Sequence, residues 1–284
     1  MRLLTGFFLF LSTFVVTPMA TALSIDLGLA DEYTVLSTGE ASLAPGMMTI
    51  GSSADIEGNV GARGMLSVGP LVSITGDLNH GSLFSIAQGV DIGGSNQVLG
   101  ASYWGDVYDD LLDASNAASA LTAGSVVSGG INGTTTLDAL SGSPSVYHVQ
   151  GGISLGAGST LTLRGGPQDE FIINVDLGMI LGAGSAIQLD GVLAGNVLFN
   201  FTGSSYLGHA VTIGAASFDG TYIAPNIDWQ FSPGSSMLQT RVLVSGIQGS
   251  LEDMTPPAVV PEPCTALLLA IGLVGMTLAR RRDE

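Results

Sequence analysis

The chain has 284 residues, 24 acidic and seven basic, and a formal net charge of −17. The chain has no lysine, and only three arginines lie between Leu23 and Val260, which makes nucleic acid and anionic membrane surfaces poor partners, since both need clustered Lys and Arg. The only cysteine, Cys264, leaves no intrachain disulfide, so stability rests on backbone ladders and apolar packing.

Arg2 precedes an apolar run from Leu3 to Val16, interrupted by Thr5, Gly6, Ser12 and Thr13. Pro18 breaks it, and Ala20-Thr21-Ala22 is a small-x-small cleavage site. The pattern predicts a secretory signal peptide over residues 1–22, with the mature chain starting near Leu23; a retained N-terminal anchor is the alternative.

Residues 23–255 read as one β-rich domain. Between Leu23 and Val260 lie 21 acidic residues and three arginines, Arg63, Arg164 and Arg241. Glycine is spread between short apolar alternations such as Met65-Leu66-Ser67-Val68-Gly69, the mark of many short strands joined by tight turns. An 18-residue period aligns Ala54-Asp55-Ile56-Glu57-Gly58-Asn59-Val60 with Val72-Ser73-Ile74-Thr75-Gly76-Asp77-Leu78, and again with Val90-Asp91-Ile92-Gly93-Gly94-Ser95. It predicts Ile56, Ile74 and Ile92 inward on parallel strands.

The segment from about 102 to 121 breaks this pattern. Trp104, Val107, Tyr108, Leu111, Leu112, Ala118 and Leu121 follow helical spacing, while Asp106, Asp109, Asp110 and Asp113 point mostly elsewhere. This is an amphipathic helix of roughly 30 Å. It is long enough to lie along a stack of about eight coils and cover one apolar face.

A 26-residue period follows. Leu155-Gly156-Ala157-Gly158-Ser159-Thr160-Leu161-Thr162-Leu163 aligns with Leu181-Gly182-Ala183-Gly184-Ser185-Ala186-Ile187-Gln188-Leu189, with a weaker third copy at Leu207-Gly208-His209-Ala210-Val211-Thr212-Ile213. Periods of this length predict a mainly β fold, a β-solenoid in two halves with one helix packed along it. An antiparallel sandwich is the competing architecture. The third copy places Thr160, Ala186 and Thr212 in one outward row of small residues.

A split solenoid of this kind resembles the ice-binding-like adhesive fold and the related adhesive domains called choice-of-anchor A. The most specific matching stretches are Asn196-Val197-Leu198-Phe199-Asn200-Phe201 and Gly220-Thr221-Tyr222-Ile223-Ala224-Pro225-Asn226. Neither group brings a catalytic motif.

Residues 256–284 close the chain. Pro261-Glu262-Pro263 precedes an apolar stretch over 264–279, which is followed by Arg280, Arg281 and Arg282. Sixteen residues make roughly 24 Å of helix, slightly under the ~30 Å hydrocarbon core. The arginine flank fixes that end inside. The three parts together resemble the PEP-CTERM sorting signal of Gram-negative bacteria. That resemblance implies export, transient retention in the inner membrane, cleavage by an exosortase and release to the cell surface or extracellular matrix. An ordinary C-terminal anchor is the alternative.

No reading of the residues supports catalysis or a cofactor. His80, His148 and His209 lack metal-ligand spacing. A polysaccharide lyase needs basic groups for its acidic substrate, and three scattered arginines do not supply them. The acidic pairs Asp169-Glu170 and Glu252-Asp253 are adjacent, so on strands their members face opposite ways. The expectation is a non-enzymatic surface or matrix protein serving adhesion, biofilm or association with extracellular polysaccharide. Ice binding on the same fold is the alternative. It needs a flat, uncharged face, and the expected outward rows Asp55-Ser73-Asp91 and Glu57-Thr75-Gly93 are charged.

Overall fold

The computed structural model describes residues 24–39, 47–81, 83–205, 210–249 and 251–258. The expected signal peptide, the Pro261-Glu262-Pro263 motif, the apolar stretch and Arg280 to Arg282 lie outside them. The first half holds β1 (Tyr33–Ser37), β2 (Met48–Ile50), β3 (Asp55–Ile56), β4 (Asn59–Ala62), β5 (Met65–Val68), β6 (Ser73–Ile74), β7 (Leu78–His80), β8 (Leu83–Ile86), β9 (Asp91–Ile92) and β10 (Asn96–Val98). Helix α1 (Ala101–Ala120) follows. The second half holds β11 (Ser125–Ser128), β12 (Ile131–Asn132), β13 (Thr135–Asp138), β14 (Ser145–Gln150), β15 (Ile153–Leu155), β16 (Thr160–Arg164), β17 (Phe171–Val175), β18 (Met179–Leu181), β19 (Ala186–Asp190), β20 (Val197–Phe201), β21 (Val211–Ile213), β22 (Gly220–Phe231) and β23 (Thr240–Gly249).

Among the described residues every strand pairing is parallel. Successive strands lie on three faces of a coil, here A, B and C, and each coil stacks on the next. This is the expected solenoid, and an antiparallel sandwich is excluded. Face A runs β10-β7-β4-β1-β23-β22-β20-β17-β14-β11. The stack is therefore permuted. The second half advances from β11 to β23, the first half continues from β1 to β10, and α1 carries the chain back between the two outer ends.

The 18-residue period sets the first half as expected. Ile56 pairs with Ile74 and Ile74 with Ile92, all directed into the core. The turns stack as well. The Gly76 N–H donates to the Gly58 carbonyl at 3.2 Å and the Gly94 N–H to Gly76 at 3.0 Å. A Cβ on Gly76 or Gly94 would sit 2.6 or 2.8 Å from the carbonyl oxygen of the coil below. Side chains extend this ladder. Asn59 Oδ1 accepts from the Asp77 N–H, and Asp77 Oδ1 accepts from the Ser95 N–H and hydroxyl. These bonds hold the Asp77 carboxyl below the usual carboxylate range.

Helix α1 covers face A. Trp104, Val107, Leu111, Ala114 and Ala118 are buried against Leu36, Ile172, Leu198, Ile223 and Leu243. Asp109 and Asp113 face solvent, as the spacing predicts. Asp110 departs from that reading, because its carboxylate is half-buried and accepts from the Leu29 N–H at 2.8 Å. One row of outward residues, Gln97-Asn79-Gly61-Leu36-Leu243-Ile223-Asn200-Asn174-His148-Val126, crosses all ten strands, with the helix over its middle and both ends exposed. Its composition follows what lies above it. A Cβ on Gly61 would meet the Tyr33 ring at 2.6 Å, so glycine there makes room for the Tyr33–Trp104 contact. Near the helix C-terminus the row turns polar. Asn200 donates to the Ser115 carbonyl and to Asn174 Oδ1, and Asn174 donates to the Ala118 carbonyl. These amides add side-chain donors to helix carbonyls that also accept from Ser119 Oγ and the Leu121 N–H.

The register overturns the third copy of the 26-residue period. Thr160 pairs with Ala186 on face C, but Thr212 lies on face B between Ile180 and Gln230. The neighbour of Ala186 is Ser217, followed by Ser236. Ala186 itself alternates with the inward Ile187 but is largely covered. The expected row of Thr160, Ala186 and Thr212 therefore does not exist. Between β17 and β20 the step is 26 residues, from Phe171 to Val197, whereas Met179 to Val211 is 32, so the longer coil shifts the phase.

Candidate functional site on face B

The three faces differ in what their outward residues offer. Face A is covered. Face C carries charge, with Asp55-Ser73-Asp91 in one half and Asp138-Arg164-Asp190, beside the uncharged Thr136-Thr162-Gln188, in the other. Arg164 Nε donates to Asp138 Oδ1 at 2.7 Å, and this bond raises the guanidinium pKa further. The expected row Asp55-Ser73-Asp91 is thus in place.

Face B is open and uncharged. Its strands follow an apolar–outward–apolar triplet, seen in Ile153-Ser154-Leu155, Met179-Ile180-Leu181, Val211-Thr212-Ile213 and Trp229-Gln230-Phe231. The flanking residues are buried in the core and the middle one faces out. Stacking places Asn132, Ser154, Ile180, Thr212, Gln230 and Gln248 in register. The row continues into the first half through Ile247 N–H to Met47 O (2.9 Å) and Leu251 N–H to Thr49 O (3.3 Å), then Thr49, Ser67 and Ser85. Nine outward positions, on strands spaced about 4.8 Å, form a strip of roughly 38 Å. None of the nine can ionise.

Two shallow depressions lie on this face. One, of about 350 Å³, is lined by Met47, Thr49, Met65, Ser67, Phe84 and Ser85. The other, of about 340 Å³, is lined by Asn132, Ser154, Leu177, Ile180, Ala210 and Thr212. His80 backs the first, its ring stacked on Phe84 with centroids 4.2 Å apart. Burial pushes its pKa below the ordinary value. Large exposed apolar residues, Met65, Leu177 and Ile180, stand on the same face. Such a surface desolvates cheaply, because hydroxyls and amides give up only part of their hydration and no charge is stripped of water.

A third depression, about 480 Å³, opens beside the helix C-terminus and is lined by Asn116, Ser119, His148, Asn174, Asp176 and Thr202. His148 Nε2 and Asp176 Oδ1 lie 2.7 Å apart in it. Among the described residues no three His, Cys, Asp or Glu side chains converge in a metal-binding cluster. No described helix is long and apolar enough to cross a membrane.

The arrangement defines a split parallel β-solenoid with one helix-covered face, one charged face and one open, uncharged face. Residues 72–252 match the family model for the ice-binding-like adhesive domain, more than half of the chain, and the chain belongs to that family. Solved structures share the fold. An ice-binding protein from an Antarctic biological consortium is 22% identical with a TM-score of 0.54, covering 86% of this chain and 96% of its own. One from an Arctic yeast is 18% identical with a TM-score of 0.58, covering 85% and 97%. One from Shewanella frigidimarina is 17% identical with a TM-score of 0.58, covering 84% and 100%. No curated protein matches the sequence.

Proposed function

We propose that this chain is an exported, non-enzymatic adhesive protein that uses face B to hold an extended uncharged surface, such as neutral extracellular polysaccharide. The observation that carries this reading is the row from Asn132 to Ser85. It is continuous across both halves and free of charge, in a chain whose formal net charge is −17. Hydroxyl and amide groups spaced by the strand repeat match a ligand that repeats its own hydroxyls, and no basic cluster is present to select an acidic one. The family and the fold neighbours are ice-binding or adhesive proteins, which supports a binding role rather than a reaction.

Ice binding is the second reading. The uncharged face and the named ice-binding structures favour it. Ile180, Gln230 and Gln248 interrupt the small Thr and Ser positions with bulkier or more flexible side chains, which places this reading second. The expected route to the surface uses the signal peptide at 1–22 and the sorting tail. In that scheme Pro261, Glu262 and Pro263 are read by an exosortase, while the 264–279 segment and Arg280, Arg281 and Arg282 hold the precursor in the inner membrane.

Co-sedimentation of the mature protein with insoluble neutral and acidic polysaccharides tests the reading, alongside ice-recrystallisation inhibition. Ser154→Asp or Thr212→Asp on face B should weaken neutral-polysaccharide binding at least tenfold, about 1.4 kcal/mol. Thr162→Asp on face C should leave it intact. The reverse pattern would rule out face B. Intact mass of the released protein tests the sorting step, and residues 280–284 still attached would make the tail a plain anchor.

A further inference from the structure

We propose that copies of this chain stack end to end, the β8-β9-β10 end of one solenoid pairing with the β11-β12-β13 end of the next. Both ends are open backbone edges. β10 is exposed throughout, with Val98 at 69%, and Val126 on β11 is exposed at 51%. Ser95 O and Leu99 N bond to β7, so the alternating backbone groups of Asn96 and Val98 point away from the stack. Proteins commonly protect such edges with lysine, proline or a bulge. The six end strands hold neither lysine nor proline, and their ladders run without a register shift. Their only charges are Asp91 and the Arg164-paired Asp138.

The two ends also match. The coil visits faces A, B and C in turn, so after β10 on face A the next position lies on face B, over β8. A second copy turned by one third about the axis enters there with β11 beside β8, β12 beside β9 and β13 beside β10. Strand lengths agree in that order, being four, two and three residues at one end and four, two and four at the other. Both halves advance the same way along the axis, so every new pair is parallel like those inside the molecule. The contact would cover Phe84, Val90 and Ile92, which are only partly buried at the open end. Such a joint is heterologous and does not close, so it builds a filament. The described residues begin and end away from both outer ends. Ser24 bonds Glu170, and Ala258 lies against Gly195.

Sedimentation velocity and electron microscopy of the exported protein test this. The expected result is concentration-dependent linear assemblies with an axial repeat of roughly 45 Å, the product of the coil count and a spacing of about 4.8 Å. Val98→Pro removes a donor that faces the open end, and Val98→Lys adds an edge charge without altering the backbone. Either should abolish filaments while leaving the melting temperature unchanged. Val126→Lys should do the same from the other end. Mixing the Val98 and Val126 variants should give dimers and nothing longer, because each keeps one competent end. A monomer at every concentration overturns the proposal, as does association that both variants leave intact. Cross-linking that places residues 259–284 over the Asn96–Val98 edge also overturns it.

Discussion

Faces A and B share one backbone, one coil spacing and the same inward core, yet one is sealed and the other is open. The difference lies in the outward residues of each. Under α1 these are Leu36, Leu243, Ile223, Ile172 and Leu198, with Asn200 and Asn174 donating to helix carbonyls near its C-terminal end. On face B the equivalent row holds Asn132, Ser154, Thr212, Gln230 and Gln248, and two depressions remain open above it. A solenoid face thus becomes internal or external through alternate residues alone, while its ladders stay the same. Apolar atoms in the row recruit the chain's own helix. Uncharged polar atoms leave the strip available to something outside.

The sharpest way to break this comparison is to place the same charge on each side. Leu111→Asp puts a carboxylate into the sealed contact, where Leu111 is fully buried. It should cost about 3–5 kcal/mol and lower the melting temperature by roughly 10 °C. Ile180→Asp on the open face, where the side chain is 57% exposed, should change stability by less than about 0.5 kcal/mol. Equal effects in calorimetry would mean that the helix is not packed as described. Next in size, Gly61→Ala should cost about 1–3 kcal/mol, because its methyl meets Tyr33 and Leu36. Asn200→Ala should cost a similar or smaller amount, about 1–3 kcal/mol, by removing the acceptor of the buried Ser115 hydroxyl and the donor to Asn174 Oδ1. Denaturant midpoints at constant slope would read both.

The smallest expected effect is a pH dependence from His80. Burial lowers its pKa in the folded chain from the ordinary 6.5, so the unfolded state takes up the proton first. The stability it contributes is fully present above pH 6.5 and is lost as pH falls through that value toward the lower folded pKa. Thermal melts from pH 7.5 to 5 should show this loss, and His80→Gln should flatten it. A melting temperature that rises on acidification would contradict the assigned direction.

Much of the solenoid is legible in the sequence, because stacking imposes a period that side chains must obey. Ile56, Ile74 and Ile92 repeat at 18 residues since each fills the same core position one coil higher. The helix is legible for the same reason, its apolar residues returning every turn. The open face was harder to see. Its signal is a three-residue triplet, too short to stand out, and the extra residues between β20 and β21 move Thr212 out of phase with Ala186. A local coincidence in sequence, Leu207-Gly208 against Leu181-Gly182, hides the true match of Leu181 with Ile213. The pairing of β1 with β23 joins Val35 to Val242 across 207 positions, and no local pattern announces it.

That pairing has a consequence for how the molecule comes together in time. β1 waits for β23, the last long strand made, before its second edge is filled. Neither half can zip up to completion as the chain emerges, since the seam between them forms only when residues 240–254 are free to insert beside β1, Ile50 and Ile56. Contacts so distant along the chain close slowly. The nascent protein therefore leaves the ribosome with its central seam unmade, and assembly finishes in one late, cooperative step.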